Sequence, residues 1–210
     1  QELQKSIEEV HHLEDVVEGV ASTLSSVLID GTRSLLEFSL DLTRLRRFIH
    51  YSSVFASGWQ RGLVVSNQPG HTPSRWHNTY EKCRWKAESW CRAAMPKLPL
   101  TIVRTGLVVG AGTEEPLDET ERGFHLLKRF VNRSKHIPLP LPDGGRHPIH
   151  ICPTDYLIEM THSLVHHPGS CGGAFHVTDP SPPTALQVLT ELGGRLPTET
   201  SSFGDALTTL

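Results

Sequence analysis

Tyr80 and Arg84 stand four residues apart within HNTYEKCRWKAESW, and in a helix that spacing puts both side chains on one face. A guanidinium about 4 to 6 Å from a phenol favours the phenolate, so a tyrosine in such a pair is suited to exchange protons with a substrate. A serine hydroxyl nearby can donate a hydrogen bond to a carbonyl or alkoxide oxygen and stabilise charge where it develops. Ser52 and Ser53 lie in the run FIHYSSVFASG, and Ser53 is placed for that role. By spacing alone Y-x-x-x-R is unspecific, because most such pairs are helix neighbours in solvent. The order of the surrounding elements gives it meaning.

Residues 48–55 are aromatic and β-branched, as a central parallel strand should be, and the two serines close it. In open α/β sheets the ligand crevice lies outside the carboxyl ends of the strands, where a polar pair is poorly explained as core. Residues 58–76 form a polar loop with two prolines and three glycines. An amphipathic helix is predicted over 79–95, stopped by the prolines of MPKLP, and residues 100–109 (LTIVRTGLVV) read as one further strand. Upstream, Leu24, Val27, Leu28, Leu35, Leu36 and Phe38 recur at helical spacing over 22–40, with Gly31 inside the pattern. VHHLEDVV before it reads equally as a short strand or a helix start.

Downstream, an acidic loop at 114–121 leads to a helix from about 123 to 132. Residues 138–156 are rich in Pro and Gly and read as a short hairpin or an extended crossing. Thr154 is expected to cap a helix carrying Leu157, Met160, Leu164 and Val165. AFHVTD at 174–179 is a last strand, and SPPTALQVLTELGG holds both start and stop signals of a helix. The alternation of strand and helix predicts a parallel α/β sheet.

With 210 residues, 37% hydrophobic and 20% charged, the chain fits one ordinary globular domain, and a net charge of −3 gives no basic excess for nucleic acid. Cys83, Cys91, Cys152 and Cys171 form no C-x-x-C pair and fit reduced thiols, and no apolar run reaches the length of a membrane span. A cytoplasmic location is expected. Thirteen histidines include the pairs His11-His12 and His166-His167, but neither pair has ligand companions at helical metal spacing, so no metal is expected.

LIDGTRSLLEF, IHYSSVFASG, YEKCRWKAE, IVRTGLVVG, HPIHICPTDYL and FHVTDPSPPT together resemble the extended short-chain dehydrogenase/reductase superfamily, particularly its thioester-reductase and fatty-acyl-reductase-like branch. The resemblance covers nearly the whole chain. It implies a Rossmann-like doubly wound parallel sheet with a small C-terminal substrate region, forming one NAD(P)-binding domain over 1–210. In that domain 1–112 and 174–179 supply the sheet core and its helices, 113–173 the substrate-binding insertions and return helix, and 195–210 a polar tail. The implied catalytic residues are Ser53, which orients the substrate oxygen, Tyr80, the general acid, and Arg84, which falls where the family has its lysine. Ser52, Tyr80, Arg84, Thr105, Gly106 and Val108 are the implied cofactor-binding set, for NAD or NADP. The implied substrate is a small carbonyl, thioester or alcohol, and a homodimer is left open.

The chain also departs from the family pattern. Leu28 stands where the family has a helix asparagine, Thr105 follows Arg104 in place of proline, and HHLED replaces H-x-A-A, setting Glu14 and Asp15 near the cofactor. No G-x-x-G-x-x-G loop is present, and the first glycine is Gly19. That loop is what holds a dinucleotide pyrophosphate. With a start at Gln1, these features predict an N-terminally incomplete sheet, a degenerate homologue, or both. Two alternative functions stay open: a non-catalytic interaction domain, or an NAD-dependent sugar-nucleotide epimerase or dehydratase using the same tyrosine.

Overall fold

Phe48 and Ile49 are fully buried in β2 (Arg47–Ser53), as a strand covered on both faces requires. β2 is flanked by β1 (Glu9–His12) and β3 (Leu100–Thr105), and a further strand, Ala174–Val177, pairs with the far side of β3. All three pairings are parallel. The computed structural model describes residues 3–14, 20–60, 62, 64–65, 73–110, 131 and 141–193. Asp15, Gly19, the acidic loop, the polar tail and, apart from Val131, the expected helix at 123–132 lie outside the described residues.

The chain divides into two compact units, residues 1–106 with 155–177, and residues 107–154 with 178–210. Among the described residues, the first holds a sheet of four strands. VHHLEDVV, left open between strand and helix, supplies β1. The predicted helix over 22–40 is helical throughout, but as α1 (Ala21–Leu24), a π-helical stretch (Ser25–Gly31) and α2 (Thr32–Leu40). α3 (Thr79–Ala94) starts where Asn78 accepts the Glu81 amide hydrogen at 2.9 Å, while the Glu81 carboxylate accepts the His77 amide hydrogen at 2.8 Å. These two bonds satisfy amides that a helix start leaves open. Leu36, Phe48, Cys91, Leu98, Leu100, Ile102 and Ala174 form the main core beneath α2 and α3. None of the four cysteines is in a disulfide.

Alternation along β2 sends His50 and Ser52 to one face and Tyr51 to the other. α3 covers the first face, and Thr161 of α4 (Thr154–His166) lies against the Tyr51 hydroxyl on the second. The sheet is thus covered on both faces, a Rossmann-like α/β arrangement.

The single strand expected over 100–109 is corrected to two. β3 ends at Thr105, and Leu107–Val109 forms β4, which pairs in parallel with β5 (Ile151–Pro153) in a separate sheet of the second unit. The cause is loss of a partner: β2 turns into a 3-10 helix at Val54, so the backbone beyond Thr105 bonds elsewhere, as when the Leu107 amide donates to the His150 carbonyl at 2.7 Å. Of the two readings of 138–156, a hairpin is not formed among the described residues 141–156. Among its described residues it makes a 3-10 turn at Pro142–Gly145 and then enters parallel β5. Thr154 is the first residue of α4 rather than its cap, and its hydroxyl donates to the Val109 carbonyl at 3.3 Å. The last strand of the first unit, β6, ends at Val177 rather than 179. Helix α5 (Ala185–Glu191), in the second unit, begins in a capping box between Thr184 and Gln187.

Gly58 closes the 3-10 turn after β2 at φ 59°, ψ −155°, a region that essentially only glycine occupies. An added Cβ would sit 2.7 Å from Pro73 Cβ and 2.9 Å from the Arg75 carbonyl oxygen. Gly58→Ala is therefore expected to lower stability by about 1 to 3 kcal/mol. Urea unfolding checks this, and a midpoint equal to wild type would show the turn to be unstrained.

Candidate active site

Tyr80, Arg84 and Glu88 occupy successive turns of the α3 face that meets the sheet. Arg84 Nε donates to the Tyr80 hydroxyl oxygen at 3.1 Å, and the guanidinium carbon lies 5.2 Å from the phenol ring centroid. The bond uses a lone pair of the phenol oxygen and leaves its O–H to be donated elsewhere. The rest of the guanidinium is anchored to the strand ends. Nη2 donates to the Glu14 main-chain carbonyl at 2.6 Å, and Nη1 lies 3.4 Å from both the Tyr51 carbonyl and Glu14 Oε1. A planar fork of donors suits this multi-point fit, which a lysine ammonium would not reproduce.

Glu14 is buried at the end of the first strand, where an unpaired carboxylate would be costly. Besides Arg84, its Oε2 lies 3.0 Å from His12 Nε2, and Thr32 Oγ1 stands 3.3 Å away while donating to the Leu28 carbonyl at 2.6 Å. His12 Nδ1 in turn lies 3.0 Å from His50 Nδ1. If His12 gives its Nε2 hydrogen to the carboxylate, its Nδ1 accepts from His50, and both tautomers follow. His50 is completely buried, and its Nε2 has no hydrogen-bond partner.

Burial pushes the His50 imidazole down from its ordinary 6.5 to about 3, with His12 and Arg84 adding to the effect and Glu14 opposing it. Folded His50 stays neutral while the unfolded chain takes up a proton below 6.5. The stability this group contributes is therefore intact above that pH, falls as pH drops, and is gone near 3. With a chelator present, its share of the slope is expected to be about 1.4 kcal/mol per pH unit. Urea unfolding at pH 7 and pH 5 checks it, since His50→Asn should unfold with a shallower pH dependence and an identical one would refute it.

The structure separates the two serines. Ser53 ends β2 with its Oγ accepting the Phe55 amide hydrogen at 3.3 Å, so its own O–H is not spent in that bond. Ser52, expected beside the cofactor, is instead turned into the core, where its hydroxyl donates to Glu88 Oε1 at 2.6 Å. Strand alternation is the reason: residue 52 faces α3 and residue 53 does not. Arg104 meets the same carboxylate in fork fashion, Nε to Oε1 at 2.8 Å and Nη2 to Oε2 at 2.7 Å, and its Nη1 reaches Ser57 Oγ at 3.3 Å. Thr105 donates to the Ser52 carbonyl at 3.3 Å, and Gly106 follows it, buried. Val108 belongs to β4 in the second unit. Leu28 is fully buried with Leu24 and Cys83, and Tyr80 packs against that cluster.

Sequence reasoning did not single out Glu88 or Arg104. The available signals were an arginine inside an apolar strand and a carboxylate four residues past Arg84, since charges in such places are seldom buried unpaired.

Parallel strands with helices on both faces and a tyrosine–cation pair beside a strand's carboxyl end define a Rossmann-like domain of the short-chain dehydrogenase/reductase kind. Residues 1–161 match the family model described as male sterility protein, an NAD-binding domain family. The chain belongs to that family. No curated protein matches it. Among solved structures, it is similar to the terminal R domain of the myxalamid PKS-NRPS biosynthetic pathway, with TM-score 0.73 and 22% identity over 88% of this chain and 46% of that one. It is also similar to UDP-glucuronic acid 4-epimerase from Bacillus cereus, solved with NAD (TM-score 0.70, 19% identity, 98% of this chain and 74% of that one). A third is the dTDP-glucose 4,6-dehydratase from Streptomyces venezuelae, also with NAD bound (TM-score 0.68, 17% identity, 99% and 73%). These likenesses establish the fold, and the chain spans about half the length of the R domain. No helix among the described residues is long and apolar enough to cross a membrane.

Proposed function

We propose that the chain carries the acid/base centre of an NAD(P)-dependent oxidoreductase of the extended short-chain type, reducing a carbonyl or thioester or oxidising the corresponding alcohol. The observation that carries this reading is the 3.1 Å bond from Arg84 Nε to the Tyr80 hydroxyl. Tyr80, Arg84, Thr105 and Gly106 are the residues of this unit that would hold the reacting end of a nicotinamide cofactor. When bound, the reduced cofactor supplies the hydride. Tyr80 gives its proton to the substrate oxygen as charge builds there, Ser53 donates a second hydrogen bond to that oxygen, and the guanidinium offsets the charge left on the phenol oxygen. Arg84 stays protonated throughout, so the tyrosine regains its proton from elsewhere. The test is NADPH consumption by the full-length protein with an aldehyde or acyl thioester, and no turnover of either would overturn the proposal.

A second reading, a fold kept for interaction without cofactor, is favoured by one observation. Both Arg84 η nitrogens face Glu14 and the Tyr51 carbonyl, groups of the protein itself. Calorimetry with NAD and NADP separates the two readings, because micromolar binding defeats this one.

A further inference from the structure

We propose that His12, Glu14 and His50 form a binding site for a divalent transition-metal ion. His12 and Glu14 are two residues apart, so alternation puts both on the same side of the first strand while Leu13 between them is exposed. His12 and His50 are direct partners in the ladder between the first two strands. One ligand atom from each of the three side chains lies within 4.8 Å of the other two. Two imidazoles and one carboxylate are the donors chosen by zinc, iron and cobalt, whereas calcium and magnesium prefer oxygen alone.

The two imidazoles need little change. Nitrogens each bound at about 2.0 to 2.1 Å to a tetrahedral ion sit roughly 3.3 Å apart. The two Nδ1 atoms are already 3.0 Å apart. The carboxylate is already oriented, as metal-bound carboxylates usually are, by Thr32 and by Arg84 at 3.4 Å from Oε1. Oε2 lies 3.0 Å from His12 Nε2, so meeting an ion held by the two Nδ1 atoms requires the His12 ring to turn over or the carboxylate to swing toward Nδ1. Arg84 opposes a second cation, so an ion and Arg84 compete for Glu14. The arginine keeps its 2.6 Å bond to the Glu14 main chain whichever prevails.

The test uses protein stripped with chelator and titrated with Co²⁺ alone. One ion per chain with visible d–d bands is expected, displaced by Zn²⁺, and Zn²⁺ should raise the unfolding midpoint. Glu14→Gln and His12→Gln should each weaken Co²⁺ binding at least about 100-fold. Absence of stoichiometric binding would overturn the site, and so would undiminished binding in His12→Gln, which would assign the ion to other histidines. The wild-type protein offers a check that needs no variant: paramagnetically shifted proton signals from two imidazole rings are expected in the Co²⁺ form, and their absence refutes the assignment.

Discussion

Tyr80→Phe is expected to lower kcat/KM for carbonyl or thioester reduction by roughly 10² to 10⁴, the range lost with a general acid. The variant keeps the ring that packs beside Leu24, Leu28 and Cys83 and removes only the oxygen that accepts from Arg84 Nε. The unfolding midpoint should therefore change little, because Arg84 retains its bonds to the strand-end carbonyls. NADPH oxidation followed beside a thermal melt distinguishes lost chemistry from lost structure. Turnover within a factor of three of wild type would remove Tyr80 from the mechanism.

Glu88→Ala is expected to cost about 3 to 5 kcal/mol of stability, the penalty for breaking a buried ion pair from one side. Glu88 is 2% exposed and accepts from Ser52 and from two nitrogens of Arg104. Removing it strands a guanidinium whose side chain is 9% exposed. Replacing both partners with apolar residues, Glu88→Leu with Arg104→Met, should recover much of the loss, since the most deeply buried guanidinium is then gone and only the partly exposed Arg92 loses a partner. Urea unfolding of the three variants checks this, and a Glu88→Ala loss below about 1 kcal/mol would mean that water reaches Arg104. The network ties α3 to β2 and β3, so it also sets where Tyr80 stands relative to the strand that carries Ser53.

Local signals made much of this architecture readable. α3 carries an N-cap, an amphipathic face and a closing proline in one short stretch, and the Tyr80–Arg84 contact follows from helix geometry alone. The Gly106 break was not readable, because LTIVRTGLVV is apolar on both sides of the glycine and the cause lies in another strand, where β2 ends. Leu28 and Arg84 were recognisable as departures from a family pattern. What Arg84 does was hidden, because its partner Glu14 is 70 residues away. Helical spacing is blind to the partner of His12, because His12 meets His50 across a strand ladder. Ser52 and Ser53 looked equivalent as neighbours, and only the pleat separates their roles.

The pairing of β3 with β6 joins residues 72 positions apart, as Arg104 and His176 show. Synthesis runs from the N-terminus at about 5 to 20 residues per second. The far edge of β3 therefore waits roughly 4 to 14 s for its partner to be made. For that interval a nascent chain carries an open apolar strand edge, the kind of surface that recruits chaperones or other chains. Among the described strand pairings of this unit, that of β3 with β6 also spans the longest stretch of chain, although loop-closure cost grows only slowly with that length.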